Sequence, residues 1–430
     1  MLGRRGFIAG AAAGFLAPAL PARAATAESA QVLIGWYRLV LELVRHTATY
    51  SPPVAARSFG YLGVIGWEAL AAARGLTSLA GQLNGLAPLP PGPPALGEAL
   101  VLHAALTGGV RALFGNTGPT GQRAMDAMER RMGERAGVGA VQPEASLAHG
   151  RAVAAHILAW AEGDGGAVVA NMGFPLIWSL GTQAGAWVPT NLIRQQQAPL
   201  LPQWGNNRPM AMPDGRACAL PPPPAYSEAP GSAFHAEAME VYETSRNLTE
   251  EQKLIARFWS DDPMLSPTPP GHWVTILLDI AERDGLPVER VAEGLARLGV
   301  AASDAFIACW QSKYEFDLLR PVTYIRAQID PTWEPLLITP PFPEYPSGHS
   351  TLSGAAAEVL TAILGPDFAF DDATHEADGL PIRSFANFRD AAREAALSRL
   401  YGGIHFRAAI DRGLEQGACV AAHAIRLRML

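Results

Sequence analysis

The sequence predicts a mainly α-helical protein whose helices are joined by long proline-rich loops. Apolar residues recur at helical spacing over residues 32–43, 54–72 and 146–162. Residues 186–231 contain a dense group of prolines, so we expect irregular coil there, wrapping the helical body or lining a cleft. With 430 residues, of which 49% are apolar, the chain is long enough to bury a large core.

Caps and breakers set the predicted helix boundaries in the second half of the chain. A Ser, Thr or Asn can cap the free amides at a helix start, and proline or paired glycines end a helix. The first predicted element is a helix opened by the capping box at 249–252, and the second is a helix over 304–319 that stops before Pro321. A small-residue helix over 350–360, capped by Ser347, follows, and then a short hairpin within 371–385. The last is an alanine-rich helix over 387–397 that ends near Gly402 and Gly403.

The N-terminus has the pattern of a secretory signal peptide. Arg4 and Arg5 precede an apolar run over 9–20, and a small-x-small site predicts cleavage after Ala24. The paired arginines indicate the twin-arginine export route. Because neither this run nor any later segment reaches about 18 uncharged apolar residues, we expect no membrane span in the mature chain. The sequence thus predicts a signal peptide over 1–24 and one helical unit over 25–430, exported to the periplasm or secreted.

Charge and cysteine content exclude several classes of function. The formal net charge of −7 gives no general attraction for nucleic acid, so any anion site must be local. The three cysteines, Cys218, Cys309 and Cys419, are too few for a disulfide framework, and although one bridge is allowed, inert core thiols are favoured. No zinc-binding spacing and no P-loop is present.

Three motifs in the C-terminal third carry the chemistry. The first contains Lys313 and Arg320, seven residues apart, a spacing that places both cations on one helix face. Arginine offers a rigid fork to two oxygens and lysine offers a point charge, as a phosphate-like anion requires. Taken alone, however, this motif is more often a solvated surface pair.

The second motif is Pro346-Ser347-Gly348-His349. A helix N-terminus capped by Ser347, with Gly348 allowing close approach, is an anion cradle. The positive helix end disfavours the charged form of His349, which suits that side chain to act as a general base. An ordinary capped helix is an equally good interpretation of this motif alone.

The third motif contains Ser398, Arg399 and His405, with Gly402 and Gly403 between them. The two glycines should break the preceding helix and turn His405 inward. A lone histidine beside an apolar face is usually a core residue, but here two oxyanion motifs stand upstream in a definite order. Together the motifs predict a site that binds a tetrahedral oxyanion.

In this order the motifs resemble the active-site signature of the vanadium-dependent haloperoxidases. Type 2 phosphatidic acid phosphatases and related bacterial acid phosphatases share that signature. The sequence around the motifs, over 258–273, 305–325 and 341–346, is similar to the haloperoxidase branch, and the resemblance covers most of the mature chain. It implies two stacked helical bundles of the four-helix type and a site built from residues 258–411.

The resemblance also implies a role for each motif residue. His405 would be the single protein ligand to vanadium, and His349 would be the acid/base that deprotonates hydrogen peroxide. Asp262 would orient Arg399 and couple to His349, and Phe342 corresponds to an apolar residue of fungal chloroperoxidases where bromoperoxidases tend to carry histidine. The residues that would hold the oxygens of vanadate are Lys313, Arg320, Ser347, Gly348 and Arg399. Lys313 would also act in catalysis by donating a hydrogen bond to the bound peroxide.

One position departs from the family pattern. The signature usually ends in an aspartate four residues after the histidine, but Ala409 stands there and the nearest acid is Asp411. The group that fixes the tautomer of His405 is therefore open between a backbone carbonyl and Asp411. In the phosphatases that aspartate orients the histidine as a nucleophile, so its displacement weakens a phosphatase interpretation.

We therefore predict a vanadate-dependent haloperoxidase that oxidises halide with hydrogen peroxide. The alternative is an exported acid phosphatase with His405 as nucleophile. A non-enzymatic oxyanion-binding protein is disfavoured because every residue expected to bind the oxygens of the anion is present. The halide, an organic acceptor and assembly into a homo-oligomer stay open.

Overall fold

The fold was analysed in a computed structural model that describes residues 22–89, 91–169, 173–175, 177–190 and 197–430. Residues 1–21 of the predicted signal peptide lie outside the described residues. Among the described helices, none combines the length and the apolar character needed to cross a membrane.

The described chain is mainly helical, as predicted, with one two-stranded antiparallel sheet. The helices are α1 (Ala22–Arg45), α2 (Pro52–Arg74), α3 (Glu98–Leu113), α4 (Pro119–Gly137), α5 (Pro143–Glu162), α6 (Gly166–Val169), α7 (Ala233–Arg246), α8 (Glu250–Phe258), α9 (Thr268–Asp284), α10 (Val288–Phe316), α11 (Pro321–Gln328), α12 (Gly348–Leu364), α13 (Phe388–Tyr401) and α14 (Arg407–Ile425). The strands are β1 (Phe370–Asp372) and β2 (Arg383–Phe385).

Helix α10 joins two groups of helices. Helices α1 to α5 pack on one another, α12 to α14 form a second group, and α10 packs against α2 on one side and against α12 and α14 on the other. Glycines allow the backbones to approach closely. A Cβ on Gly299 of α10 would lie 2.6 Å from the Phe59 carbonyl oxygen, and one on Gly417 of α14 would lie 2.2 Å from that of Thr351. This close packing fixes α12, which carries the second motif, between its neighbours.

Most local predictions are confirmed. The capping box at Thr249 is present, Ser347 caps α12 and Asn387 caps α13. The hairpin pairs Phe370 with Phe385. The proline-rich stretch is irregular where it is described, apart from a short 3-10 helix at Trp204–Asn206.

The predicted helix over 304–319 is wrong at both ends. Helix α10 begins earlier and ends at Phe316, because Asp317 adopts a left-handed conformation with φ of 46°. Arg320 is extended and caps α11, as expected for a residue that precedes a proline. Lys313 and Arg320 therefore do not share a helix face.

The structure pairs two of the three cysteines. Cys218 and Cys419 form a disulfide across 201 positions of sequence, and buried Cys309 is free. The bridge is the outcome that the sequence allowed but did not favour. The bridge joins the irregular segment before α7 to α14, a long-range contact that composition cannot reveal.

We predict that the Cys218→Ser, Cys419→Ser double variant is less stable than the wild type. Closing so long a loop restricts the unfolded chain, and such a bridge typically contributes about 2–4 kcal/mol to the free energy of unfolding. The measurement is guanidinium-induced unfolding monitored by circular dichroism, with Cys309→Ala as the control that leaves the bridge intact. Equal unfolding midpoints for wild type and double variant would contradict the pairing.

Candidate active site

The three motifs meet at one buried position near the N-terminus of α12. Lys313, Arg320 and Ser347 have no exposed surface, and Arg399 and His405 are each 3% exposed. The charges of Lys313, Arg320 and Arg399 all act on His405, so the side chains are close enough to share a ligand. The first motif is therefore not a solvated surface pair. Gly348, His349 and Phe342 are half-buried and form the more accessible side of the site.

His405 is held by an acid that sequence analysis did not identify. Its Nδ1 lies 2.8 Å from Oε1 of Glu344, and the same oxygen accepts a hydrogen bond from the Phe406 amide at 2.9 Å. Asp411 is exposed and is not the partner. Glu344 lies 61 positions before His405, so the residues near the histidine in sequence could not identify it. The sequence signal that could have identified it is an acidic residue just before the second motif.

These contacts set the tautomer of His405. The Arg320 guanidinium can only donate, and its Nη1 lies 3.1 Å from Nε2 of His405, so Nε2 is the acceptor and Nδ1 carries the proton. Burial raises the pKa of Glu344 to about 8, against the pull of Arg320 and Lys313. Oε1 already accepts two N–H bonds, so a proton on this carboxyl belongs on Oε2, which has no partner. Nδ1 of His405 thus remains the donor in either state of Glu344.

Lys313 organises the backbone that leads into the second motif. Its Nζ donates to the carbonyl oxygens of Pro343, Glu344 and Pro346 at 2.8, 2.9 and 2.5 Å. Burial lowers the pKa of Lys313 to about 7, whereas three carbonyl acceptors favour the ammonium form, the only one with three N–H bonds. In this arrangement Lys313 provides charge at the site while its hydrogen bonds shape the loop.

Both arginines have N–H groups without a hydrogen-bond partner in the described structure. Arg320 donates to the carbonyls of Phe342 and Ile404, yet its Nη2 is unpartnered. Arg399 donates from Nη1 to the Trp259 carbonyl at 2.7 Å, and its Nε is unpartnered. Burial lowers the pKa of each guanidinium to about 10, and both stay charged at neutral pH. Buried donors of this kind are costly unless a ligand satisfies them.

His349 is a neutral imidazole with a free nitrogen. It is the second residue of α12, it has a hydrogen bond to the backbone of Ser260, and its Nε2 has no partner. Burial and the charge of Arg399 hold the pKa of His349 well below its usual value. An uncharged imidazole beside unpartnered cationic donors is suited to take a proton from a bound acid.

The N-terminus of α12 supplies the remaining groups. The Ser347 hydroxyl oxygen accepts from the Ser350 amide at 3.3 Å, which leaves its O–H free to donate. Gly348 is the first residue of the helix, where amides lack partners within the helix. The structure thus brings together Lys313, Arg320, Ser347, Gly348, His349, Arg399 and His405.

The predicted role of Asp262 fits less well. Its negative charge acts on Arg399, but among the described residues no hydrogen bond or ion pair joins the two side chains. The carbonyl of Trp259 holds Arg399 instead. The neighbouring Asp261, rather than Asp262, is the carboxylate whose charge acts on His349. Asp262 therefore contributes charge, and the backbone of its loop orients the cations.

Phe342 lies against both cations of the first motif. Its ring centroid is 5.0 Å from Nζ of Lys313 and 4.9 Å from Cζ of Arg320, and Trp310 packs on it at 4.9 Å. The ring excludes water from the cations and favours their charge through the electron density of its face. Phe342 thus forms an apolar wall of the site.

Two histidines assigned no role from the sequence have buried acidic partners. His272 and His375 both contact Asp261. His375 has a second acidic partner three residues along the chain, because its Nδ1 lies 3.0 Å from Oδ2 of Asp378.

We predict that Glu344→Ala weakens the binding of orthovanadate about 10- to 100-fold, the usual cost of losing a group that orients a histidine ligand. Without Glu344, Nδ1 of His405 loses its acceptor and the Nε2–H tautomer becomes populated. Titration calorimetry measures the affinity, and long-range ¹H–¹⁵N spectra report the tautomer.

Two variants control this experiment. Glu344→Gln keeps an oxygen acceptor and should bind more tightly than Glu344→Ala, and Asp411→Ala should bind like the wild type. Unchanged affinity in Glu344→Ala, or a loss in Asp411→Ala, would contradict the assigned partner.

A family model and one curated relative match parts of this chain. Residues 294–429 match the family model described as the VCPO second helical-bundle domain. Vanadium chloroperoxidase of Curvularia inaequalis is 33% identical over 128 residues, a match that spans 24% of this chain and 21% of that protein.

Solved structures extend the likeness to nearly the whole chain. The first bacterial vanadium-dependent iodoperoxidase has a TM-score of 0.84 and 35% identity, covering 93% of this chain and 97% of that chain. A bacterial vanadium-dependent chloroperoxidase in its apo form, with a TM-score of 0.69 and 17% identity over 90% of this chain and 96% of that one, shares the fold. The chain belongs to the vanadium-dependent haloperoxidase family, a family of peroxidases.

Proposed function

We propose that this protein binds vanadate and uses hydrogen peroxide to oxidise halide to hypohalous acid. The observation that carries the proposal is the set of buried groups without partners, Nη2 of Arg320, Nε of Arg399 and Nε2 of His349, which come from three motifs and surround one imidazole. Buried polar groups normally have partners, so a bound group must satisfy them. A tetrahedral oxyanion matches three cations and a helix N-terminus in charge and in geometry.

The residues present fit vanadate in particular. Nε2 of His405 has the lone pair that a metal ligand needs, because the proton sits on Nδ1 against Glu344. Arg320, Arg399, Ser347 and the Gly348 amide would hold its oxygens, with Lys313 adding charge. Vanadate held in this way would make bound hydrogen peroxide electrophilic toward halide.

His349 performs the proton transfer in this proposal. Its neutral Nε2 can accept a proton from hydrogen peroxide as the peroxide binds, and can return it when hypohalous acid leaves. The hydrogen bond to the Ser260 backbone fixes the ring, so little reorganisation is needed during reaction. The buried cations act in a dry site, where their charge is worth more than in water.

The apolar wall at Phe342 is compatible with halides that are hard to oxidise. The relative that is 35% identical is titled an iodoperoxidase, and the relative from Curvularia inaequalis is a chloroperoxidase. Iodide is therefore the first substrate to examine, followed by bromide and chloride.

One observation favours phosphate ester hydrolysis as a second candidate function. The family's aspartate is absent four residues after His405, but Glu344 takes its place as the acid bonded to the imidazole. A histidine that acts as a nucleophile needs such an acid to orient it. The same cradle would hold the phosphoryl oxygens, with His349 as the acid for the leaving group. Vanadate would then act only as an inhibitor.

We predict halide oxidation that depends on added orthovanadate and falls about 100-fold or more in Arg399→Ala, the typical cost of losing one preorganised donor. The measurement is triiodide formation from iodide, followed by monochlorodimedone halogenation with bromide and chloride. His405→Ala should show no vanadate-dependent turnover.

Arg412→Ala is the matched control, because Arg412 is an exposed arginine whose ion pair in the described part of the chain is with Glu415. Near-normal turnover in Arg399→Ala would contradict the assignment. Hydrolysis of p-nitrophenyl phosphate without halide oxidation, inhibited by vanadate, would instead establish the phosphatase.

We also propose that the protein is exported by the twin-arginine route. The Arg4–Arg5 pair before an apolar run supports this, and a disulfide between Cys218 and Cys419 suits an oxidising compartment. We predict that Arg4→Lys, Arg5→Lys accumulates in the cytoplasm, as measured by cell fractionation, while the wild type reaches the periplasm or medium. Equal export of both would contradict this route.

A further inference from the structure

A cluster of three carboxylates and two imidazoles includes an aspartate of the loop that carries Trp259 and Asp262. At its centre is Asp261, whose two oxygens are both 3.0 Å from Nδ1 of His272. Nε2 of His375 lies 3.1 Å from one of the same oxygens. Three distant parts of the chain thus place one oxygen-donor group and two nitrogen donors within 4.8 Å of one another.

Each imidazole has a second carboxylate on its other nitrogen. Nε2 of His272 lies 2.8 Å from Asp372, and Nδ1 of His375 lies 3.0 Å from Asp378. Metal-binding histidines nearly always have such a partner, which orients the ring and increases its basicity.

The surroundings are dry and apolar. The side chains of His272, Asp261 and His375 are 0%, 1% and 7% exposed. Trp259 stacks on His272 at 4.5 Å between ring centroids, and the Phe258 ring lies 5.3 Å from that of His375. Three carboxylates in such a place need positive charge, and Arg45, paired with Asp378, supplies only part of it.

We propose that Asp261, His272 and His375 form a site for a divalent cation of the zinc type, separate from the oxyanion site. Two imidazole nitrogens and a bidentate carboxylate provide four N and O donors, the number and kind that zinc prefers. The separations of about 3 Å between Asp261 and each imidazole nitrogen are close to those of ligands about 2.0–2.1 Å from one tetrahedral ion, and all three ligand atoms lie within 4.8 Å of one another. With a doubly charged ion, the three carboxylates and Arg45 become electrically balanced.

Protons can balance the same cluster, and the cation must compete with them. Burial lowers the pKa of His272, but Asp261 and Asp372 outweigh burial and raise it to about 10. The pKa of His375 is also raised, since Asp261 and Asp378 outweigh its burial. A cation would replace the proton that each ring shares with Asp261, while the proton on the other ring nitrogen stays there and is donated to Asp372 or Asp378.

The position of the cluster gives the cation a structural role next to the active site. Asp261 adopts a left-handed conformation with φ of 49° and directly follows the two residues whose backbone orients the catalytic groups. The Trp259 carbonyl holds Arg399, and the Ser260 backbone holds His349. A cation on Asp261 would fix this loop to α9 and to the segment between β1 and β2.

The experiment is zinc binding to the full-length protein after dialysis against a chelator, followed by titration calorimetry and by metal analysis after gel filtration. We expect one zinc per chain, a higher melting temperature with zinc, and loss of this binding in His375→Asn. Asp378→Asn keeps all three ligands and should bind about 10- to 100-fold more weakly.

Two controls separate this site from other histidines. His405→Ala alters the oxyanion site and should bind zinc like the wild type. His149→Asn changes a buried histidine whose Nε2 has no partner, and it too should bind normally. Absence of stoichiometric zinc in the wild type, or equal affinity in wild type and His375→Asn, would overturn the proposal and leave a proton-held network. Neither result depends on halide oxidation.

Discussion

The burial of three cations without a carboxylate ion pair is the constraint on which the site depends. Among the described residues, Lys313, Arg320 and Arg399 form no salt bridge, although each is almost fully buried. Uncompensated charge in a protein interior is costly. The chain reduces that cost with main-chain carbonyls: three for Lys313, two for Arg320 and one for Arg399. The arginine N–H groups that these carbonyls leave without an acceptor are available to bind an anion.

The helical framework positions those carbonyls. Close packing of α10 against α2, and of α12 against α14, sets Lys313 opposite the turn that enters α12. The loop after α8 then places the Trp259 carbonyl on Arg399. Glu344 adds a carboxylate that hydrogen-bonds His405, and among the described residues it forms no ion pair with the three cations, although its charge acts on Lys313 and Arg320. Arg320 and Glu344 together fix the tautomer of His405, so the same arginine helps to bind the oxyanion and to orient the imidazole.

Local signals predicted much of this arrangement. Ser347 as a cap, the break at Gly402 and Gly403, and the hairpin before α13 follow from the preferences of neighbouring residues. The order of the motifs indicated which residues converge. The end of α10 at Phe316 was missed because a left-handed Asp317, a conformation without a distinct sequence signal, decides it. Glu344, the disulfide and the Asp261 cluster were missed because they depend on contacts between distant residues.

The central claim is that the unpartnered donors surround a single oxyanion bonded to His405. The most direct measurement is a crystal structure of the protein grown with orthovanadate, with anomalous data to identify vanadium. Our account predicts vanadium bonded to Nε2 of His405, with its oxygens contacting Nη2 of Arg320 and Nε of Arg399. Vanadium bound elsewhere, or absent with those donors satisfied by other protein groups, would contradict it.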